Sequence, residues 1–336
     1  MSYTSSGPIG IIGLGLIGGS LAKALVRLEI PVCGYDIDST TQECAKADGI
    51  NVVDSIDSLI ETSDIVIIAT PQRMQIQVAE YVAHNCGKEL LISDVGSVKR
   101  PFQAVSSKYL EKSNIHWVGL HPLAGTEHSG YMNSNPDLFS NAVWAVSLDS
   151  QTRIRDYLLI SEIIFNLGGK VLPLSPEVHD DSVARISHFP YIVAALVAGL
   201  AGESEYARLT LNMAAGSFRD CTRVAASDPD FSVDLSLWNW DNVIGITERA
   251  VSILQGLYDP LKYQDTKYLH DFYARGQHIR RMYCFVNCNR SENTISLVDS
   301  RIAIKSLLEL GRTGNLIIQH IIVDRDYLKV ISEINE

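Results

Sequence analysis

The chain lacks the cationic excess that would draw it to a nucleic acid. Its 28 lysines and arginines face 39 aspartates and glutamates, a formal net charge of −11. Such a chain repels a phosphate backbone and an anionic membrane surface, and an anionic ligand would need a local cationic pocket. Cysteine is sparse: the six are scattered at Cys33, Cys44, Cys86, Cys221, Cys284 and Cys288, with no second Cys or His pair at ligand spacing. That pattern predicts no metal site and points to reduced thiols in the cytoplasm. Long apolar runs are missing as well. The longest, Tyr191 to Ala201, is shorter than the ~18 residues a membrane span requires. The opening MSYTSSGP has neither the basic nor the apolar region of a secretory signal. These absences predict a soluble cytoplasmic protein with neither a membrane nor a nucleic-acid partner.

What is present is ordinary globular material, 46% hydrophobic and 20% charged over 336 residues, enough for two domains. The first half alternates short apolar runs with amphipathic stretches. The runs are Ile9 to Gly15, Pro31 to Ile37, Asp64 to Pro71, Glu89 to Ser97, Ile115 to Pro122 and Ala142 to Leu148. Strands alternating with helices predict a doubly wound parallel sheet covered on both faces, an α/β Rossmann arrangement over residues 1–170. After Lys170 to Leu174 the strand signals stop and helical patterns take over, which predicts a mostly α-helical second domain over 171–285. Ser175 is its expected first N-cap, with Pro176 in the first turn, and Pro190 should disturb the helix. Residues 286–336 carry no nameable motif and form an extension of unknown role.

GLGLIG, Gly13 to Gly18, follows a strand run and opens a helical one. In that context the glycines allow a tight turn, close approach of backbone to a pyrophosphate, and close helix–strand packing. Gly13, Gly15, Leu16, Ile17 and Gly18 are therefore candidate cofactor contacts, with Thr70 and Pro71 at the end of another strand. Asp36 ends the second strand, and no Lys or Arg follows it before Lys46. A carboxylate there binds ribose hydroxyls and repels a 2′-phosphate, so the expected cofactor is NAD.

The glycine-kinked loop GLHPLAGTEHSG holds His121, Thr126, Glu127 and His128, and SDVGSVK places Ser97 after another strand. A histidine beside a dinucleotide site suits general-base work, because it titrates near neutrality. In the helical half, Arg219 and Arg223 are four apart and share a helical face, with Asp220 able to orient Arg223. Arginine is the side chain for a bidentate grip on a carboxylate. His188 lies near Pro190.

GLGLIGGSLA, SDVGSVK, HPLAGTEHSG, ISHFPY and GSFRDCTRVAASDP stand in the order found in the prephenate and arogenate dehydrogenases of tyrosine biosynthesis, and the chain resembles that family over about residues 8 to 280. The resemblance implies a Rossmann domain, a helical dimerisation domain giving a homodimer, and an active site between them. It implies His121 as the base for the substrate's ring hydroxyl, Ser97 as its support, and Arg223 as the grip on the ring carboxylate of dianionic prephenate. His188, Thr126, Glu127, Tyr191 and Asp220 become substrate-site residues. Many members carry a histidine where Tyr191 stands and a tryptophan where Ser232 stands, positions that bear on the choice between prephenate and arogenate. A dehydrogenase for another hydroxy acid would rely on a lysine in the helical domain, and only Lys170 lies between Lys112 and Lys262. A non-catalytic NAD sensor would have no use for a base.

Overall fold

Ile9–Ile12 (β1) and Ile65–Ile68 (β4) are buried along their whole length, as expected of strands flanked on both sides and covered on both faces. In the computed structural model, which describes residues 7–109, 114–125, 128–284 and 288–335, they lie side by side at the centre of a six-stranded sheet. The others are Val32–Tyr35 (β2), Asn51–Val52 (β3), Leu90–Asp94 (β5) and Ile115–Trp117 (β6). The order is β3-β2-β1-β4-β5-β6 and every pairing is parallel. The strand order therefore reverses beside β1, where such sheets collect nucleotides.

The run Ile115 to Pro122 reads as one strand but folds as two. After Val118 the chain leaves the first sheet, and Gly119–Pro122 (β7) starts a second. A side chain at Gly119 would press at 3.1 Å on both Lys99 and Ser147, so only a small residue passes there. The second sheet runs β10-β12-β11-β9-β8-β7, with Val143–Ser147 (β8), Lys170–Leu174 (β9), Cys288–Ser296 (β10), Leu316–Ile322 (β11) and Tyr327–Asn335 (β12). β7 is antiparallel to β8, β8 is parallel to β9, and β11 joins β9 antiparallel through Ile317 and Val171. The single parallel sheet expected of the first half is thus joined by a mixed second sheet.

That second sheet also absorbs the C-terminal extension. Helix Ser300–Arg312 is capped by Asp299, which accepts from the Arg301 and Ile302 amides. It buries Ala303, Ile304 and Leu307, and Gly311 passes so close to β9 that a Cβ would fall 1.6 Å from the Pro173 carbonyl oxygen. These residues, with Ile295, Ile317, Leu328 and Val330, belong to the same apolar core as Ile9, Leu25 and Trp144.

Helix Pro176–Gly202 opens the helical half, with the Ser175 hydroxyl accepting from the Val178 amide at 3.3 Å. Pro190 has no N–H to give, and the turns just before it, Ala184–His188, widen to a π-helix. This 27-residue helix is long and apolar enough, by length and composition, to cross a membrane, although no run of apolar residues alone announced it. Its N-terminal part carries buried His179, Asp180 and His188. Helices Ala207–Asn212, Gly216–Thr222, Pro229–Trp238, Trp240–Lys262 and Thr266–Cys284 complete the half.

Candidate active site

The nucleotide cradle begins where β1 ends. Gly13 has φ +92°, and a Cβ there would meet the Ala69 backbone at 2.9 Å. A Cβ on Gly18 would fall 1.9 Å from the Gly13 carbonyl oxygen, so helix Leu16–Arg27 can pack this closely only with glycine. Gly15 faces open space, and it caps that helix without a side-chain hydrogen bond. The first amides of a twelve-residue helix are left for a ligand, the arrangement that holds phosphate. Leu16 and Ile17 form its first turn.

Asp36, at the end of β2, takes the Leu14 amide on Oδ2 at 2.6 Å and the Asp38 amide on Oδ1 at 2.9 Å. Each oxygen keeps a lone pair for a hydroxyl donor. Ile37 beside it is 91% exposed, an apolar group left open at that edge. Thr70 lies two residues beyond β4, its buried hydroxyl without a partner among the described residues, and Pro71 caps helix Gln72–Asn85. The open glycine, the uncapped helix and the buried hydroxyl together fit a dinucleotide.

Beyond β5 the chain builds the reactive part. His121 lies within β7, paired with Ala145, and is half-buried. Its Nδ1 is 2.9 Å from Nε2 of His179, whose Nδ1 is 2.7 Å from Oδ1 of Asp180. Asp180 is fully buried and accepts further from the Lys99 amide at 2.8 Å, the Arg100 amide at 2.9 Å and Arg100 Nε at 3.3 Å. Arg100 in turn holds Asp241 through two hydrogen bonds, tying this loop to helix Trp240–Lys262.

Lys99 Nζ pairs with buried Asp94 and donates to the Leu120 carbonyl at 2.6 Å, one residue before His121. His188 is fully buried and faces Asn239, which lies 3.2 Å from its Nδ1 and also donates to the Asp180 carbonyl at 2.7 Å. The Asn239 oxygen accepts from Asn242, so the amide nitrogen is the end turned toward His188. His188 Nδ1 is thus the acceptor, and Nε2 carries the proton, buried with no partner among the described residues.

Burial lowers the His121 pKa well below the ordinary histidine value, and His179, Lys99 and His188 push it further the same way. Burial also lowers His179, against the pull of Asp180, and takes His188 down to about 4. Burial works against the charge on Asp180, but the His179 contact and the Lys99 and Arg100 amides outweigh it and keep the group a carboxylate. Burial draws Asp94 and Lys99 toward their neutral forms despite their pairing. At neutral pH the site therefore holds neutral imidazoles beside an ionised Asp180.

The other expected residues are placed as follows. Ser97 is half-buried in the loop that carries Lys99 and Arg100, and among the described residues no hydrogen bond joins it to His121. Arg223 and Asp220 are exposed; helix Gly216–Thr222 ends before Arg223, which starts a 3-10 turn, so Arg219 and Arg223 do not share one unbroken α-helix. Tyr191 is half-buried and meets the edge of Phe231 at 5.9 Å between ring centres. Thr126 and Glu127 lie outside the described residues. His179, Asp180, Lys99 and Asn239 were missed in sequence; the HDD run at 179–181, one helical turn after an N-cap, was the available signal.

A Rossmann cradle feeding a histidine-centred site, closed by a helical domain, defines an NAD-dependent oxidoreductase. The prephenate dehydrogenase nucleotide-binding domain matches residues 21–172 and the prephenate dehydrogenase dimerization domain matches residues 175–275. The chain is 32% identical over 278 residues to the cyclohexadienyl dehydrogenase of Zymomonas mobilis, covering 81% of this chain and 94% of that one. It is 31% identical over 276 residues to the prephenate dehydrogenase of Bacillus subtilis, covering 80% and 74%. Among solved structures, prephenate dehydrogenase from Aquifex aeolicus in complex with hydroxyphenyl propionate and NAD+ is 29% identical with a TM-score of 0.76, covering 84% of this chain and all of that one. Arogenate dehydrogenase from Synechocystis is 26% identical with a TM-score of 0.72, covering 82% and 99%. The chain belongs to the prephenate and arogenate dehydrogenase family.

Proposed function

We propose that this chain carries out the NAD-dependent oxidative decarboxylation of prephenate to 4-hydroxyphenylpyruvate, acting as a homodimer. The observation that carries the reading is the hydrogen-bonded run His121–His179–Asp180 in a chain whose first sheet opens on a dinucleotide cradle. It supports a neutral imidazole with a free lone pair as the acceptor for the proton of a substrate alcohol. NAD, when bound, supplies the hydride acceptor.

The chain's own groups do the rest. His121 takes the hydroxyl proton, and Ser97 orients that hydroxyl. Arg223 holds the ring carboxylate, and the buried His188 Nε2–H, without a hydrogen-bond partner among the described residues, is a donor for a second anionic or carbonyl oxygen. Tyr191, Asp220, Thr126 and Glu127 are assigned to the rim of the substrate site. Once the ring carbon is oxidised, loss of the ring carboxylate makes the ring aromatic. The protein therefore has to position, deprotonate and exclude water rather than drive the reaction uphill.

Arogenate is the second reading: Tyr191 stands where many family members carry a histidine and Ser232 where many carry a tryptophan, positions that bear on the choice between the two substrates. Lys170, the one lysine available to another class of hydroxy-acid dehydrogenase, is paired at 2.7 Å with Glu333 of β12, which counts against that class. A homodimer fits the apolar stripe Val251, Leu254, Tyr258 and Leu261, exposed along helix Trp240–Lys262.

The test is NADH formation with prephenate and arogenate separately, each with NAD and with NADP. Turnover of prephenate with NAD supports the reading. Preference for arogenate moves the substrate assignment, and NAD binding without turnover of either substrate overturns it.

A further inference from the structure

Asp180 is a carboxylate buried from solvent and surrounded by donors: two backbone amides, one guanidinium nitrogen and the His179 ring. A carboxylate only accepts hydrogen bonds, so His179 Nδ1 must carry the proton shared with it. In the neutral ring Nε2 then has a free lone pair, and the 2.9 Å contact requires His121 Nδ1 to be the donor. That leaves the lone pair of neutral His121 on Nε2, the ring edge turned away from the dyad. With both rings neutral, a single arrangement of protons satisfies the whole run.

Resting on the assignment of His121 as base, we infer that His179 and Asp180 are positioning residues for it: they fix its tautomer and hold a carboxylate one ring behind the positive charge it acquires. When Nε2 of His121 accepts the hydroxyl proton, the ring becomes an imidazolium. Its Nδ1–H stays shared with His179, and the His179 Nδ1–H stays shared with Asp180. No second proton has to move, and release of the Nε2 proton to solvent after the reaction restores the starting state. The logic is that of a histidine oriented by an aspartate, with one more imidazole between them.

The dyad also joins three separate elements. His121 comes from β7, Asp180 from helix Pro176–Gly202, and the amides that pin Asp180 come from the end of the loop after β5 and the first residue of helix Arg100–Tyr109. A purely structural joint could be apolar, at far lower cost than burying a carboxylate and two imidazoles. The charged and titratable groups that face the run are Lys99 with Asp94 from the first sheet, Arg100 with Asp241 toward helix Trp240–Lys262, and His188 from the π-turn. Lys99 and His188 both disfavour a cation on His121, and the carboxylate of Asp180 reaches that ring only through its hydrogen bond to His179.

The test compares the full-length wild type with His179→Leu, His179→Asn and Asp180→Asn. Nitrogen-15 NMR of labelled histidine reads the His121 tautomer without substrate, and the pH profile of kcat reads the base. In His179→Leu we expect Nδ1-protonated His121 to be no longer the dominant form and kcat to fall about 10²-fold, with both Michaelis constants little changed. His179→Asn, whose side chain can still accept from His121 and donate to Asp180, should restore the tautomer and part of kcat. Asp180→Asn should move the acidic limb of kcat to lower pH, because the imidazolium has lost its anion.

Wild-type tautomer and kcat in His179→Leu would overturn the inference. So would equal losses in both His179 variants with an unmoved acidic limb in Asp180→Asn, which would mark a structural role. Were the wild type to turn over neither prephenate nor arogenate, the functional reading would fall. The NMR comparison would still decide whether His179 sets the tautomer.

Discussion

The two halves of this molecule are finished to different degrees. The α/β half buries its apolar residues on both faces of the first sheet, and its core runs on without a break into the C-terminal strands. The helical half contributes to neither large core, and it leaves Leu254, Tyr258 and Leu261 more than half exposed on one helix. A single chain completes the first kind of structure and not the second. Contiguous exposed apolar surface of this sort marks an interface, and the half that carries it matches a domain described by dimerization. The chemistry follows the same division. His121, His179 and Asp180 are joined by a run of hydrogen bonds withdrawn from solvent, whereas Arg223 stands exposed on the helical side.

Four experiments sharpen or break that division. His121→Asn should lower turnover by about 10²–10⁴-fold while NAD binding, followed by fluorescence titration, stays as it was. A near-normal rate would remove His121 as the base. On the helical side, Arg223→Ala should weaken substrate binding by about 2–5 kcal/mol, seen as a raised Michaelis constant with the cofactor constant unchanged. Unaltered kinetics would detach the helical half from substrate recognition.

Placing a charge in the exposed stripe, as in Leu254→Asp, should shift sedimentation toward the monomer, each lost leucine contact being worth about 2 kcal/mol. Wild-type protein already monomeric at micromolar concentration would mean the stripe is not an interface between copies.

The smallest expected effect is on pH-dependent stability. Burial holds His188 at about 4 when folded, below the ordinary value near 6.5. The unfolded chain therefore binds the proton first, and stability declines as pH falls from about 6.5 toward 4. His121 and His179, also lowered, act in the same direction. Thermal midpoints from pH 7 to 5 should fall, less steeply in His188→Asn; equal slopes would show that His188 is protonated as readily folded as unfolded.

Much of the α/β half was legible because its signals are local. A glycine that must tolerate φ +92°, and another whose Cβ would strike a carbonyl at 1.9 Å, are demands that neighbouring residues announce. The second sheet was not legible. β7 looks continuous with β6, since a strand carries no local mark of which sheet it will join. β10 is polar along most of its length and buries Ile295, so it lacks the alternation that reveals a strand. Its existence depends on β12, and β12's on β11 and β9.

The sequence by itself determined the glycine cradle and the carboxylate at Asp36, because both follow from local signals in one strand–helix–strand stretch, β1 to the end of β2. Tertiary structure alone decided what stands behind His121. His121 and His179 are 58 positions apart, and Lys99 and Asp180 are 81 apart. A hydrogen bond acts over about 3 Å of space, so no spacing along the chain could have shown that these groups meet.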